Sequence, residues 1–251
     1  MKTIKGLIMG IQFFTSIPIP YAVPMDRDHI ERAVRTLPLL GLMQGAIYAG
    51  PLAAAFFVWL ALILVTGGIH LDGWMDASDA FFSFREKDKR LEIMKDPHMG
   101  AFGVLSVIVL LSARFLFIYE IVLHAVDAVY VLIMLIPFLS KCLTGVLTIK
   151  VRAAKEDGLG TLFKEAAGSY TLWFYLLYIV VMLTALWLVQ PESIGGAIIL
   201  VLMTGIFILF AARKAVKWFG GITGDVLGAA TEGVEVVLWM TLWLWHYFVT
   251  G

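Results

Sequence analysis

The sequence is poor in charge. Only 15% of its 251 residues are Asp, Glu, Lys or Arg, where soluble domains carry about 25%. Its 19 basic and 19 acidic residues cancel to zero net charge, so bulk electrostatics give no reason to expect a nucleic-acid partner. One cysteine, Cys142, excludes an internal disulfide; inside an apolar stretch it reads as a small buried hydrophobe. The N-terminus sets Lys2 and Lys5 before an apolar run, as a secretory leader does, but lacks a small-x-small cleavage site. Pro18 and Pro20 end that run after about 13 apolar residues, too few to span a bilayer. An interfacial or re-entrant segment that stays on the protein is expected there.

What is present is apolar. Hydrophobic residues make up 61% of the chain and the mean hydropathy is +0.90, which points to a polytopic membrane protein. Apolar runs occur at 37–66, 101–123, 128–149, 171–189, 194–212 and 233–250, most of them near the ~20 residues of a spanning helix. All but two of the 19 Lys and Arg lie at the N-terminus or in polar segments 21–36, 67–100, 150–170 and 213–232, and the turns at 124–127 and 190–193 contain none. Basic loops stay in the cytoplasm. By itself 37–66 reads as one kinked helix or a hairpin of two short helices; if these segments share one side, 101–149 and 171–212 are helical hairpins, and 37–66 must also be a hairpin, turning near Gly50-Pro51. Its arms would be short and would tilt or thin the bilayer. The expectation is an all-α bundle of about seven spanning helices, a single domain over residues 1–251, with the C-terminus outside. The two basic residues within spans are Arg114 and Lys141. They either snorkel or pair with Glu120, or they form a cationic wall facing a polar cavity.

Residues 67–80, GGIHLDGWMDASDA, hold the densest acidic constellation. On a helix, Asp72, Asp76 and Asp79 are spaced i, i+4, i+7 and share one face. A solvated helix start, favoured by the macrodipole, accounts for one or two acids there better than for three on one face. A hard divalent cation removes their repulsion, and Mg²⁺ is held by one or two carboxylates, waters and substrate phosphates. His70 stands two residues before Asp72, placed to assist from behind the metal ligands as a hydrogen-bond donor. A later cluster, GGITGDVLGAATE at 220–232, places Asp225 and Glu232 seven residues apart after a glycine turn that includes Thr223. Gly228 and Ala229 are small enough to let another helix pack closely. Between them, REKDKRLEIMKDPHMG at 85–100 mixes Glu92 and Asp96 with Arg90 and Lys95. A solvated amphipathic helix explains these charges singly; the mixture also suits a metal–diphosphate substrate. Segment 152–160, RAAKEDGLG, repeats cations before a glycine turn and includes Lys155. Acids holding Mg²⁺ beside Lys and Arg are the parts phosphoryl transfer needs, since it relies on positioning and charge neutralisation, with an aspartate available to take a hydroxyl proton. The candidate metal ligands are thus Asp72, Asp76, Asp79, Glu92, Asp96, Asp225 and Glu232. The first three are also the catalytic candidates, and His70, Arg90, Lys95, Arg114, Lys141, Lys155 and Thr223 are the candidate substrate contacts.

GGIHLDGWMDASDA at 67–80, RLEIMKDPHMGAFG at 90–103 and GGITGDVLGAATE at 220–232 resemble the signature blocks of the adenosylcobinamide-GDP ribazoletransferases, the cobalamin (5′-phosphate) synthases. FFTSIPIP at 13–20, PLLG at 38–41 and EDGLG at 156–160 follow in that family's order. The resemblance implies an integral enzyme of a bacterial or archaeal cytoplasmic membrane, its active site facing the cytoplasm, that uses Mg²⁺. It implies adenosylcobinamide-GDP as donor and α-ribazole or α-ribazole 5′-phosphate as acceptor, with GMP released. A homo-oligomer is compatible with it. The family often has Arg where this chain has Ser16, His98, Lys141 and Lys155. The acidic motif is also similar to that of CDP-alcohol phosphotransferases, but their Ala-Arg pair is missing after Asp72-Gly73. A divalent-cation transporter would set its acids mid-span, where this chain has mainly Arg114 and Lys141.

Overall fold

A computed structural model describes residues 50–124, 127–154, 168 and 170–250, together with Ile8, Pro20, Tyr21, Pro24 and Asp26. The polypeptide falls into two compact units, Met1–Ala54 and Ala55–Gly251. The described helices are α1 (Gly50–Thr66), α2 (Ile69–Phe82), α3 (Lys87–Ile93), α4 (Ala101–Leu123), α5 (Asp127–Lys150), α6 (Thr171–Val189), α7 (Ile194–Phe219, led in by a 3₁₀ turn at Pro191–Ser193) and α8 (Gly224–Trp245). The only strand-like pairing among the described residues is a single parallel bridge, Ala153 to Ile222. The expected all-α membrane bundle is therefore observed.

Helix α8 is the centre of the bundle. It packs on α2, α4, α5 and α7, and Val234, Leu238, Trp239 and Leu242 on it are fully buried. Helix α4 meets the core with one stripe, Gly103, Leu110, Arg114, Ile118 and Ile121, the three-and-four spacing of a helix with one buried face. Helix α6 is apolar all round, with Leu186 its one buried residue among nineteen. Such a surface is stable only where lipid replaces protein as the neighbour. Pro137 sits inside α5, where its missing N–H leaves the Ile133 carbonyl one turn back without its usual intrahelical donor; spanning helices accommodate such breaks.

Five described helices, α4 to α8, are long and apolar enough to cross a bilayer; α1 and α2 together make a sixth only as a broken span, bent by 85°. Gly67 (φ +61°) and Gly68 (φ +76°) stand at that break. Two successive left-handed residues cannot continue a right-handed helix, and only glycine adopts them without a steric cost. The expected hairpin over 37–66 is described for its second arm alone, which is α1; the first arm and the N-terminal segment lie outside the described residues. At 17 residues, α1 is about 25 Å long, short of the ~30 Å hydrocarbon core.

The polar segments gather at one end of the bundle. Ala154 N–H donates to Ile222 O at 3.0 Å and Ile222 N–H to Arg152 O at 2.9 Å. Arg152 Nε donates to Gly220 O at 2.7 Å, and Arg90 Nη1 to Trp218 O at 3.2 Å. The basic stretches after α2, after α5 and between α7 and α8 therefore meet, as their shared charge sign predicts.

Candidate active site at the polar end of the bundle

Helix α2 carries the acids on one face and apolar residues on the other. Its glycine at position 73 lets the acidic face approach α8. A Cβ built on Gly73 would lie 2.8 Å from both Cα and O of Asp225, and one on Gly228 would lie 3.2 Å from His70 O. Gly73 and Gly228 thus let two backbones touch, as the small residues at 228–229 suggest they would. The contact brings Asp225 beside the α2 acids, and Asp76 feels the charges of Asp72, Asp225 and Asp79. Thr223 caps α8, its hydroxyl oxygen accepting from Val226 N–H at 3.1 Å. That interaction fixes the helix start on which Asp225 stands in the first turn.

The three α2 acids differ in their partners. The Asp79 carboxylate accepts from Gly100 N–H and from Gly103 N–H, each at 2.8 Å. These are orphan donors at the first turn of α4, whose N-cap Gly100 offers no side chain. Asp79 therefore ties α2 to the start of α4. Asp72 is exposed and Asp76 and Asp225 are half-buried, so these three carboxylates open to solvent.

A second set of polar contacts involves α5. Lys141, exposed on that helix, donates from Nζ to His70 Nε2 at 2.7 Å, which requires that ring nitrogen to carry no proton; the other contacts are buried or partly buried. Arg114, 1% exposed, pairs with Glu232 and stands 3.6 Å from Glu235. Glu235 also accepts from the Ser140 hydroxyl at 2.8 Å, and Thr144 and Thr231 share a hydrogen bond of 2.7 Å. Arg114 is thus turned into the protein interior, paired neither with Glu120 nor open as a cationic wall. Two buried carboxylates offset the cost of carrying its charge there. Glu232, expected beside Asp225 as a metal ligand, is committed to Arg114. Its place seven residues after Asp225 sets it two turns deeper along α8. Glu235 was not singled out from the sequence, although it lies three residues past Glu232 on the same helix face. That spacing was the available signal.

The remaining candidates are peripheral. Glu92 pairs with Lys89 on the surface, and Asp96 accepts from the His98 N–H at 3.0 Å and pairs with its ring. Those bonds hold the Asp96 carboxyl below its usual range. Arg90 spans from the Trp218 carbonyl to the face of Phe81, 5.5 Å from the ring centre. Lys95 is exposed. Lys155 and Ser16 lie outside the described residues.

Among the described residues, no three acidic, His or Cys side chains enclose an ion by themselves. The donor set is instead a shallow group of carboxylates, Asp72, Asp76 and Asp225, in which Asp76 and Asp225 feel the like charges of their neighbours. That fits Mg²⁺, which takes one or two carboxylates and fills its octahedron with waters and phosphate oxygens. On the opposite face of α2, Trp74, Ser78, Phe81 and Phe82 line a separate apolar cleft of about 820 Å³ between α2, α4, α7 and α8.

No solved structure matches the chain. The family model described as cobalamin-5-phosphate synthase, CobS, matches residues 6–243. The chain is 39% identical over 259 residues to an adenosylcobinamide-GDP ribazoletransferase of Geobacillus sp. (strain WCH70), covering 98% of this chain and 97% of the relative. It is 38% identical over 267 residues to that of Geobacillus kaustophilus (strain HTA426), with 98% of each covered. The relative of the same name from Escherichia coli (strain K12) is 34% identical over 248 residues, 92% of this chain and 96% of its own length. With a match across nearly its whole length and the acidic blocks in place on facing helices, the chain belongs to the cobalamin-5-phosphate synthase family.

Proposed function

We propose that this enzyme transfers the adenosylcobinamide-phosphate group of adenosylcobinamide-GDP to a ribose hydroxyl of α-ribazole or α-ribazole 5′-phosphate, releasing GMP. The reaction takes place at the cytoplasmic face of a bacterial or archaeal inner membrane. The observation that carries this reading is the meeting of Asp72 and Asp76 on α2 with Asp225 on α8 across the Gly73–Gly228 contact. Sequence-distant acids converge there, at the end of the bundle where the basic segments also gather.

The acceptor oxygen attacks the phosphorus nearer the cobinamide, the bond from that phosphorus to the bridging oxygen breaks, and GMP leaves with that oxygen. When bound, Mg²⁺ would neutralise the diphosphate and the leaving phosphate. Asp72, Asp76 and Asp225 would hold it, and one of these carboxylates takes the hydroxyl proton as the new bond forms. Asp79 positions α2 against α4. Lys141, held by His70, presents a point charge for a phosphate oxygen; it keeps the positive charge of an arginine but not the bidentate geometry. Water reaches the site from the polar end, which suits a nucleotide and a water-soluble corrinoid.

The test is purified protein in detergent, given both substrates, with corrinoid product and GMP followed with and without Mg²⁺. Asp72→Asn is expected to abolish Mg²⁺-dependent GMP release while inserting and melting as the wild type. Wild-type turnover in that variant would remove Asp72 from the site, and turnover undiminished by chelation would remove the metal.

A further inference from the structure

The apolar cleft on the far side of α2 is not accounted for by this chemistry. Helix α8 floors it, and α4 and α7 wall it. On α4 its lining runs from Phe102 to Ala113 and on α7 from Phe207 to Phe219. At 1.5 Å per residue each wall is about 17 Å long, close to the ~15 Å of one leaflet's half of the hydrocarbon core. Leu105 and Val109 on the α4 wall are 58% and 68% exposed, so the cleft is open along its length on the side of two spanning helices.

Its charge is one-sided. Lys214 lines it toward the polar end, with Nζ 4.8 Å from the centre of the Trp218 ring and 5.5 Å from that of Phe210. Arg213 and Lys217 are exposed on another face of α7, a helix with no acidic residue. The described lining contains no carboxylate, because the aspartates of α2 point to its other face. An apolar groove one leaflet deep, opening between spanning helices and headed by a lysine among aromatic rings, has the chemistry of an anionic phospholipid site: tail in the groove, headgroup phosphate at the ammonium.

We propose that the α2–α4–α7–α8 cleft holds one acyl chain of an anionic phospholipid, its headgroup on Lys214. The full chain, purified in detergent and titrated with phosphatidylglycerol or phosphatidylcholine, is read by native mass spectrometry. Wild type is expected to retain one phosphatidylglycerol at concentrations where it sheds phosphatidylcholine. Lys214→Gln should weaken that binding about fivefold, the equivalent of the ~1 kcal/mol of one basic side chain near anionic lipid. Ala113→Phe, which fills the groove, should abolish it. Equal retention of the two lipids by wild type, or unchanged phosphatidylglycerol binding in Lys214→Gln, would overturn the assignment without reference to the folding of the groove-filling variant. A photoreactive phenylalanine derivative replacing Val109 should cross-link to lipid; cross-links to a peptide from residues 1–49 instead would show that the chain itself fills the cleft and would equally overturn it.

Discussion

Gly73→Ala tests the reading most directly, because the one methyl group it adds would push apart the two helices that carry the acids. The added Cβ would stand 2.8 Å from Asp225 Cα and O, whereas carbon atoms rest comfortably at about 3.5–4.0 Å. Both atoms are backbone, so no side chain can swing aside; α2 and α8 must part by about 1 Å. Overpacking of this kind costs ~1–3 kcal/mol, and the better helix propensity of alanine returns ~1 kcal/mol. The net loss of ~0–2 kcal/mol lowers the melting temperature by only a few degrees in a chain of this size. Turnover is the sharper readout. Displacing Asp225 from Asp72 and Asp76 by about 1 Å is expected to cost roughly 100-fold in kcat. Gly228→Ala, with its contact at 3.2 Å, should lose less. Gly205→Ala, exposed on α7 with nothing within 4 Å, should lose nothing. The assay is GMP release by each variant in detergent, with thermal unfolding alongside. A Gly73→Ala enzyme within twofold of wild type would refute the claim that the α2–α8 contact sets the site.

Arg114→Met leaves Glu232 and Glu235 without their counter-charge and is expected to cost ~3–5 kcal/mol; adding Glu232→Gln should restore part of it, and a wild-type melting curve for Arg114→Met would contradict the buried pairing. Asp79→Ala removes the acceptor of two backbone N–H groups and should lower thermal stability even without Mg²⁺, by ~1.5–3 kcal/mol for each charge-assisted bond. Asp72→Asn should not, so the pair of variants separates the anchoring acid from the solvent-facing one by melting alone. Lys89→Ala breaks an ion pair whose side chains are 60% and 64% exposed; it should change stability by less than about 1 kcal/mol and leave turnover intact.

Much of the architecture follows from sequence because a bilayer imposes a one-dimensional code. Spanning helices must be long and continuously apolar, so α4, α5, α6, α7 and α8 are visible as runs. Basic residues mark which loops belong together, and the convergence of the segments around Arg90, Arg152 and Gly220 matches that pattern. The face shared by Asp72, Asp76 and Asp79 follows from helical periodicity. The acidic blocks, lying in the order of a known family, carried its identity.

The partners of those side chains did not follow, because pairing depends on which helices are neighbours and at what depth, and neither is written in periodicity. Only packing around α8 could commit Glu232 to Arg114, enlist Glu235 and turn the guanidinium inward. Asp79 looked like its two neighbours on the same face until the start of α4 arrived to claim both of its oxygens. The 85° break at Gly67-Gly68 likewise depends on two left-handed backbone positions that an apolar run conceals. The chain's own pattern determined which residues are dry, which are charged and which share a helix face; the fold alone decided which charges meet, because contact is a property of neighbours in space.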